Sequence, residues 1–195
     1  VPFVGLTGGL GAGKSTALAE LESLGAVVLS ADAVVHELYR EPEVAAAVRS
    51  RFGDGVFDSS GAVDRGALGA RVFASDDDRA WLEQLLWPLV AQRTEDFHAR
   101  ASRREPPPRA AVVEAPLLFE GGGEGRYSAT IAVIADDDVR LRRLGARGQS
   151  QRAEREARQL PQAEKAHRAT HVVVNDGTVE ELRAQLAAVL ERLEC

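Results

Sequence analysis

Gly8-Gly9-Leu10-Gly11-Ala12-Gly13-Lys14-Ser15-Thr16 is the stretch on which the fold turns. The residues before it, Val1 to Thr7, are mostly apolar and suit a short buried strand. Those after it, Ser15 to Leu24, carry Leu18, Leu21 and Leu24 at helical spacing and stop at Gly25. Gly8, Gly13, Lys14 and Ser15 thus satisfy G-x-x-x-x-G-K-[ST] in a strand–loop–helix setting. Glycines let such a loop turn its N–H groups inward around a phosphate, with no Cβ in the way. The helix that follows adds its own first amides and the positive end of its dipole. The pattern assigns Gly9, Gly11, Ala12, Gly13, Lys14, Ser15 and Thr16 to the phosphates of ATP. Lys14 is the mobile charge for the β- and γ-phosphates, and the Ser15 hydroxyl is a ligand for Mg²⁺. The expected chemistry is ATP-dependent phosphoryl transfer.

Outward from the loop, apolar runs alternate with longer helical stretches, which favours an α/β fold. Strands are expected at Ala26–Leu29, Ala110–Glu114, Thr130–Ala135 and His171–Val174, making five with the first. Their nearly continuous apolar character predicts a parallel sheet covered on both faces, in a P-loop NTPase architecture. Two helices broken near Pro42 are expected between Ala33 and Phe52, and a turn-rich stretch from Phe57 to Val63. A helix from Asp64 to Phe73 follows, then a long one from Asp77 to Arg103 in which Pro88 marks a kink or break. Further helices are read at Asp136–Arg147 and Thr178–Leu193. Residues 1–33, 104–147 and 169–195 then form the nucleotide-binding core. Residues 34–103 form a helical insert, and the polar, arginine-rich residues 148–168 a lid.

The formal net charge of −6 argues against general nucleic-acid binding, which draws on basic excess. No apolar run approaches the roughly 20 residues that span a bilayer, so no membrane partner is expected. Cys195 is the single cysteine, which rules out an intrachain disulfide and fits a reducing, cytoplasmic compartment. Val1 to Leu6 reads as a strand rather than a signal peptide. The partners are therefore expected to be small molecules.

Beyond the loop, Asp32 follows the second strand, and in an open α/β sheet the carboxyl ends of the strands share one edge. There it is placed either to accept the proton of an attacking hydroxyl or to cap a helix from Ala33. His36 lies one helical turn further on the same face, toward an acceptor. Arg143 and Arg147, four apart, share a helix face that either clamps ATP phosphates or is simply solvated. Asn175 either meets adenine or belongs to an Asn-Asp-Gly turn. Glu114 and Asp136 each end an apolar strand, as an acidic metal partner would, although Asp136 also suits a helix cap. Asp58-Ser59-Ser60-Gly61 fits the short D-x-x-G pattern of a nucleotide-dependent switch, but no N-K-x-D for reading guanine accompanies it.

Several segments together resemble one family. Gly5–Thr16, Ala31-Asp32, Asp64-Arg65-x-x-Leu68 with Val72-Phe73, and Pro116-Leu117-Leu118-Phe119-Glu120 are all similar to dephospho-coenzyme A kinases. So are Arg143-x-x-x-Arg147, Gln159 and Val174-Asn175-x-Gly177. The resemblance implies transfer of the γ-phosphate of ATP to the ribose 3′-hydroxyl of dephospho-coenzyme A, the last step of coenzyme A synthesis. It also implies a nucleoside-monophosphate-kinase-like fold, in which the helical insert binds the acceptor and the lid closes. It makes Asp32 the catalytic base and sets Arg143 and Arg147 on ATP. It brings Pro116 and Leu117 to the border of the acceptor site, with Glu114 just before them. Where the family often has His-Pro this chain has Trp87-Pro88, with Trp87 packed in the helical lobe or lining the acceptor site.

Overall fold

A computed structural model gives the fold over residues 1–145 and 159–194. Five parallel strands form one sheet: β1 (Phe3–Gly8), β2 (Val27–Ser30), β3 (Ala111–Glu114), β4 (Ala129–Ile134) and β5 (His171–Val174), in the order β2-β3-β1-β4-β5. β1 lies between β3 and β4, with Leu6 opposite both Glu114 and Ile131. The strand order therefore reverses at β1, and the glycine loop leaves from its carboxyl end, where open α/β sheets bind their ligands.

One sheet face is closed by α1 (Lys14–Ser23) and the C-terminal helix Val179–Leu193. Val4 and Leu6 of β1, Ile131 and Val133 of β4, and Leu21, Leu182, Leu186 and Leu190 of the helices meet there in one apolar cluster. Each fully buried leucine or isoleucine in it contributes about 1.5–3 kcal/mol. Alternation sends Phe3, Gly5 and Thr7 to the other face. A Cβ on Gly5 would stand 2.3 Å from Leu118 Cδ1, so only glycine lets the segment after β3 lie against the strand.

Contacts divide the chain into two compact units, Val1–Ser30 with Phe97–Cys195, and Ala31–Asp96. The second is helical, with α2 (Ala31–Leu38), α3 (Pro42–Phe52), α4 (Arg65–Ala74) and most of α5 (Asp76–Ser102). Pro42 starts α3 in its first turn, where a missing N–H costs nothing. Asp64 caps α4 by accepting from Gly66 N at 2.8 Å and Ala67 N at 3.1 Å. Pro88 does not break α5, which runs 27 residues through it. One lost backbone bond is tolerated there between strong helix formers, Leu82 to Leu86 on one side and Leu89 to Gln92 on the other.

Three further expectations are corrected. β5 is an edge strand whose Val172 and Val174 are 43% and 44% exposed, so the sheet is not covered on both faces there. Trp87 is 43% exposed, so it is packed only in part. Asp32 lies within the first turn of α2 and is not its N-cap; there its charge complements the helix dipole. Of the stretch read as a lid, residues 148–158 lie outside the described residues, and Gln162–Arg168 is a helix, α6 (Asp137–Leu144) being the one before it. We number Gln162–Arg168 α7 and Val179–Leu193 α8.

The two tyrosines, Tyr39 and Tyr127, are each pushed up to about 12 by burial, against the opposing pull of Arg65 and Arg126. An acid whose folded value is raised keeps its proton longer folded than unfolded, so stability falls as pH rises from about 10 to about 12. Each phenol then withdraws about 3 kcal/mol across that window. Tyrosinate absorbance is expected to rise together with the loss of helical circular dichroism, and Tyr39→Phe with Tyr127→Phe to extend stability to higher pH. Tyrosinate absorbance rising near pH 10 in fully folded protein would contradict this.

Candidate functional site

The loop between β1 and α1 is held open by contacts from three other elements. Gly13, at the helix N-cap, has φ +93°, and a Cβ there would stand 2.1 Å from Asn175 Nδ2. Asn175 follows β5, is nearly fully buried, and donates from Nδ2 to the Ala12 carbonyl at 2.8 Å. Its backbone N–H donates to Ile134 O at 2.8 Å, so β4 and β5 together aim the side chain at the loop. Arg143 of α6 reaches Asn175 Oδ1 at 3.5 Å. Arg140, one turn earlier, donates from Nε to Leu10 O and from Nη1 to Asp137 Oδ1, both at 2.8 Å. Gly11, at φ +78°, passes so close that a Cβ would be 2.9 Å from Leu144.

Gln162 closes the third side. Its amide bonds both backbone groups of Ala135, accepting from N at 3.2 Å and donating to O at 2.7 Å, and its Cβ lies beside Gly9. The first turn of α1 holds no acidic residue and no side-chain cap, so the dipole end is left for an anion. Lys14 Nζ donates to the Gly8 and Gly9 carbonyls at 3.1 Å each, folded back over the loop.

Beside this cradle, Ser30 at the end of β2 donates to Glu114 Oε2 at 3.1 Å. Pro116 follows, its carbonyl accepting from Lys165 Nζ at 2.5 Å, and Leu117 is half-buried with its carbonyl accepting from Gly121 N. Among the described residues no group of three or more His, Cys, Asp or Glu is placed to hold a metal. Mg²⁺ is commonly bound by one or two protein oxygens together with substrate phosphates. A hydroxyl on Ser15 and a carboxylate on Glu114 are the hard donors that such binding uses.

The helical unit has its own cleft, about 200 Å³, lined by Asp32, His36, Tyr39, Arg65, Leu68 and Val72 among others. A second of about 410 Å³ shares His36, Tyr39 and Arg65 with it and adds Arg40 and Ser60. His36 Nε2 is buried and has no hydrogen-bond partner among the described residues. The Asp64-Arg65-x-x-Leu68 segment thus divides its work: Asp64 caps, Arg65 faces both clefts, and Leu68 is core. Asp58 Oδ1 accepts from Ser60 N, Ser60 Oγ and Ala62 N, and these bonds hold its carboxyl below the usual range. The D-x-x-G pattern is accordingly the turn between Phe57 and Val63, paired antiparallel.

The loop residues, Asn175 and Arg143 come together in the sheet unit, with Glu114, Pro116 and Leu117 in that same unit; Asp32 and His36 line the helical one. Arg147 lies outside the described residues. Arg140, Gln162 and Tyr39 were not marked by the sequence. Only Arg140 leaves a trace there, three residues after Asp137 and three before Arg143.

A family model described as dephospho-CoA kinase matches residues 2–181. The chain belongs to the dephospho-CoA kinase family. A dephospho-CoA kinase of Deinococcus radiodurans is 41% identical over 98% of this chain and 92% of its own length. One from Geobacillus kaustophilus is 37% identical over 97% and 95%. A crystal structure of a Thermus thermophilus protein superposes with a TM-score of 0.80 at 37% identity, covering 98% of this chain and 97% of that one. In dephospho-CoA kinase terms the chain is an ATP-dependent kinase on a P-loop α/β fold, and no described helix is long and apolar enough to cross a membrane.

Proposed function

We propose that this kinase transfers the γ-phosphoryl group of ATP to the 3′-hydroxyl of dephospho-coenzyme A, giving coenzyme A and ADP. The observation that carries the proposal is the family match over residues 2–181, joined to a phosphate loop braced from α6, α7 and β5. The loop amides and the α1 dipole hold the β- and γ-phosphates. Lys14 leaves the Gly8 and Gly9 carbonyls for the γ-phosphoryl oxygens, where charge grows in the transition state. Arg143 reinforces the same charge from α6. Ser15 and Glu114 offer the oxygen donors that would hold Mg²⁺, which would supply neutralisation of phosphate charge.

Acceptor binding falls to the helical unit. Its paired clefts offer an apolar wall at Leu68 and Val72, and Arg40 and Arg65 for an anionic diphosphate arm. His36 Nε2, buried and unpartnered among the described residues, turns to bond the acceptor. Asp32, exposed and without a hydrogen bond among the described residues, takes the proton of the attacking 3′-hydroxyl. The acceptor oxygen bonds to Pγ as the bond from Pγ to the bridging oxygen breaks, ADP leaves, and Asp32 returns its proton to water. A reducing cytoplasm is the compartment that suits the lone Cys195.

Incubation with Mg-ATP and dephospho-coenzyme A is expected to yield coenzyme A and ADP in equal amounts by mass spectrometry. Absence of coenzyme A while ATP still binds would sink the assignment of the acceptor.

A further inference from the structure

Lys165 is the one fully buried charged side chain among the described residues. Its ammonium lies 3.0 Å from Glu120 Oε1, 2.5 Å from the Pro116 carbonyl and 3.5 Å from Thr7 Oγ1. Glu120 Oε1 also accepts the Leu160 N–H at 2.7 Å, while its Oε2 is buried without a partner among the described residues. Burial pulls the lysine below its usual range, and Glu120 opposes that pull.

A buried ion pair is a poor way to gain stability, since desolvation offsets most of the attraction and an apolar pair of the same shape often does better. What the pair does fix is position. Thr7 is the residue before Gly8, where the phosphate loop leaves β1. Pro116 opens the segment after β3 and Glu114. Lys165 itself sits one turn after Gln162, the residue that packs on Gly9 and bonds both ways to Ala135. Residues three apart share a helix face. One face of α7 therefore grips the start of the phosphate loop, the end of β4 and the Pro116 turn.

We propose that Lys165, paired with Glu120, is a positioning residue for phosphoryl transfer, holding the phosphate-loop entry at Thr7 and the Pro116 turn in one frame. The proposal rests on the kinase activity argued above, and wild-type turnover of ATP and dephospho-coenzyme A is the control that separates the two. A Coulombic tie of this kind matters to rate because a misplacement near 1 Å costs about 10²-fold in a reaction governed by alignment.

The test compares Lys165→Met, the double variant Lys165→Met with Glu120→Gln, and wild type. The readouts are melting temperature and the first-order rate constant of a single turnover at saturating enzyme, which loss of folded protein alone does not change. Lys165→Met strands a buried carboxylate and is expected to melt lower; the neutral pair is expected to recover most of that loss. The single-turnover rate is expected to stay at least about tenfold below wild type in both, because neither restores the ammonium to Pro116 and Thr7, and only the longer Thr7 Oγ1 to Pro116 O bond of 3.4 Å then joins them. A rate that recovers along with the melting temperature overturns the proposal, as does a wild-type rate in either variant. If Lys165→Met does not fold, the double variant alone decides. If that too fails to fold, Lys165→Leu with Glu120→Leu decides: this apolar pair removes the ammonium from Pro116 and Thr7, and a wild-type rate there overturns the proposal.

Discussion

Asp32→Asn is expected to lower kcat by about 10²–10⁴-fold, the usual worth of a positioned general base, with little change in ATP affinity. Asparagine keeps the size and place of the side chain in the first turn of α2, but cannot accept the proton of the acceptor hydroxyl. Loss of the helix-dipole interaction costs only about 0.3–1 kcal/mol, so the fold should survive. Turnover should not vanish, because phosphoryl transfer depends largely on alignment and charge neutralisation, which Lys14 and the loop still supply. Steady-state kinetics with both substrates, and ATP titration by calorimetry, read the two effects separately. An unchanged kcat would remove Asp32 from the chemistry.

Gly13→Ala is expected to do comparable damage by a different route, through ATP binding and stability together. The residue sits at φ +93°, a conformation that costs an L-residue about 1–2 kcal/mol. Its new methyl would also stand 2.1 Å from Asn175 Nδ2, so the amide must move and give up the Ala12 carbonyl. Leaving that buried carbonyl unpaired adds about 1–3 kcal/mol. The loop then loses the shape that turns its amides inward, and kcat/KM for ATP should fall by at least about 10²-fold. Adding Asn175→Ala makes room for the methyl and is expected to recover part of the melting temperature without recovering ATP binding. Wild-type kinetics in Gly13→Ala would contradict the account of the loop.

How far the sequence carries the reading depends on what each residue answers to. The phosphate loop is legible because its backbone path admits few sequences, and Gly8, Gly13, Lys14 and Ser15 are local to one another. The five strands are legible from apolar runs, but β5 is an edge only by virtue of sheet order, which its Val172 and Val174 do not announce. Lys165 is harder still. It stands in Gln162–Arg168, a stretch as polar as any surface helix, and its burial depends on Glu120, Pro116 and Thr7, all distant in sequence. Asn175 lies between: its Asn-Asp-Gly context speaks for a turn, while its actual partner, Ala12, lies 163 positions away. Gly177 shows the same limit, since its reason is the Glu181 carboxylate that completes the capping box of α8 and would meet a Cβ at 1.7 Å.

That 163-residue span between Asn175 and Ala12 also sets an order of events during synthesis. The loop is made before β2, β3, β4 and β5, yet the side chain that fixes its curvature follows β5. A nascent chain that ends before β5 carries every residue of the motif and lacks the bond that shapes it. Such a chain is therefore expected to hold ATP more weakly than one that includes β5 and Asn175. Tight nucleotide capture is expected to wait for the strand that completes the sheet, because that strand carries the side chain that braces the loop.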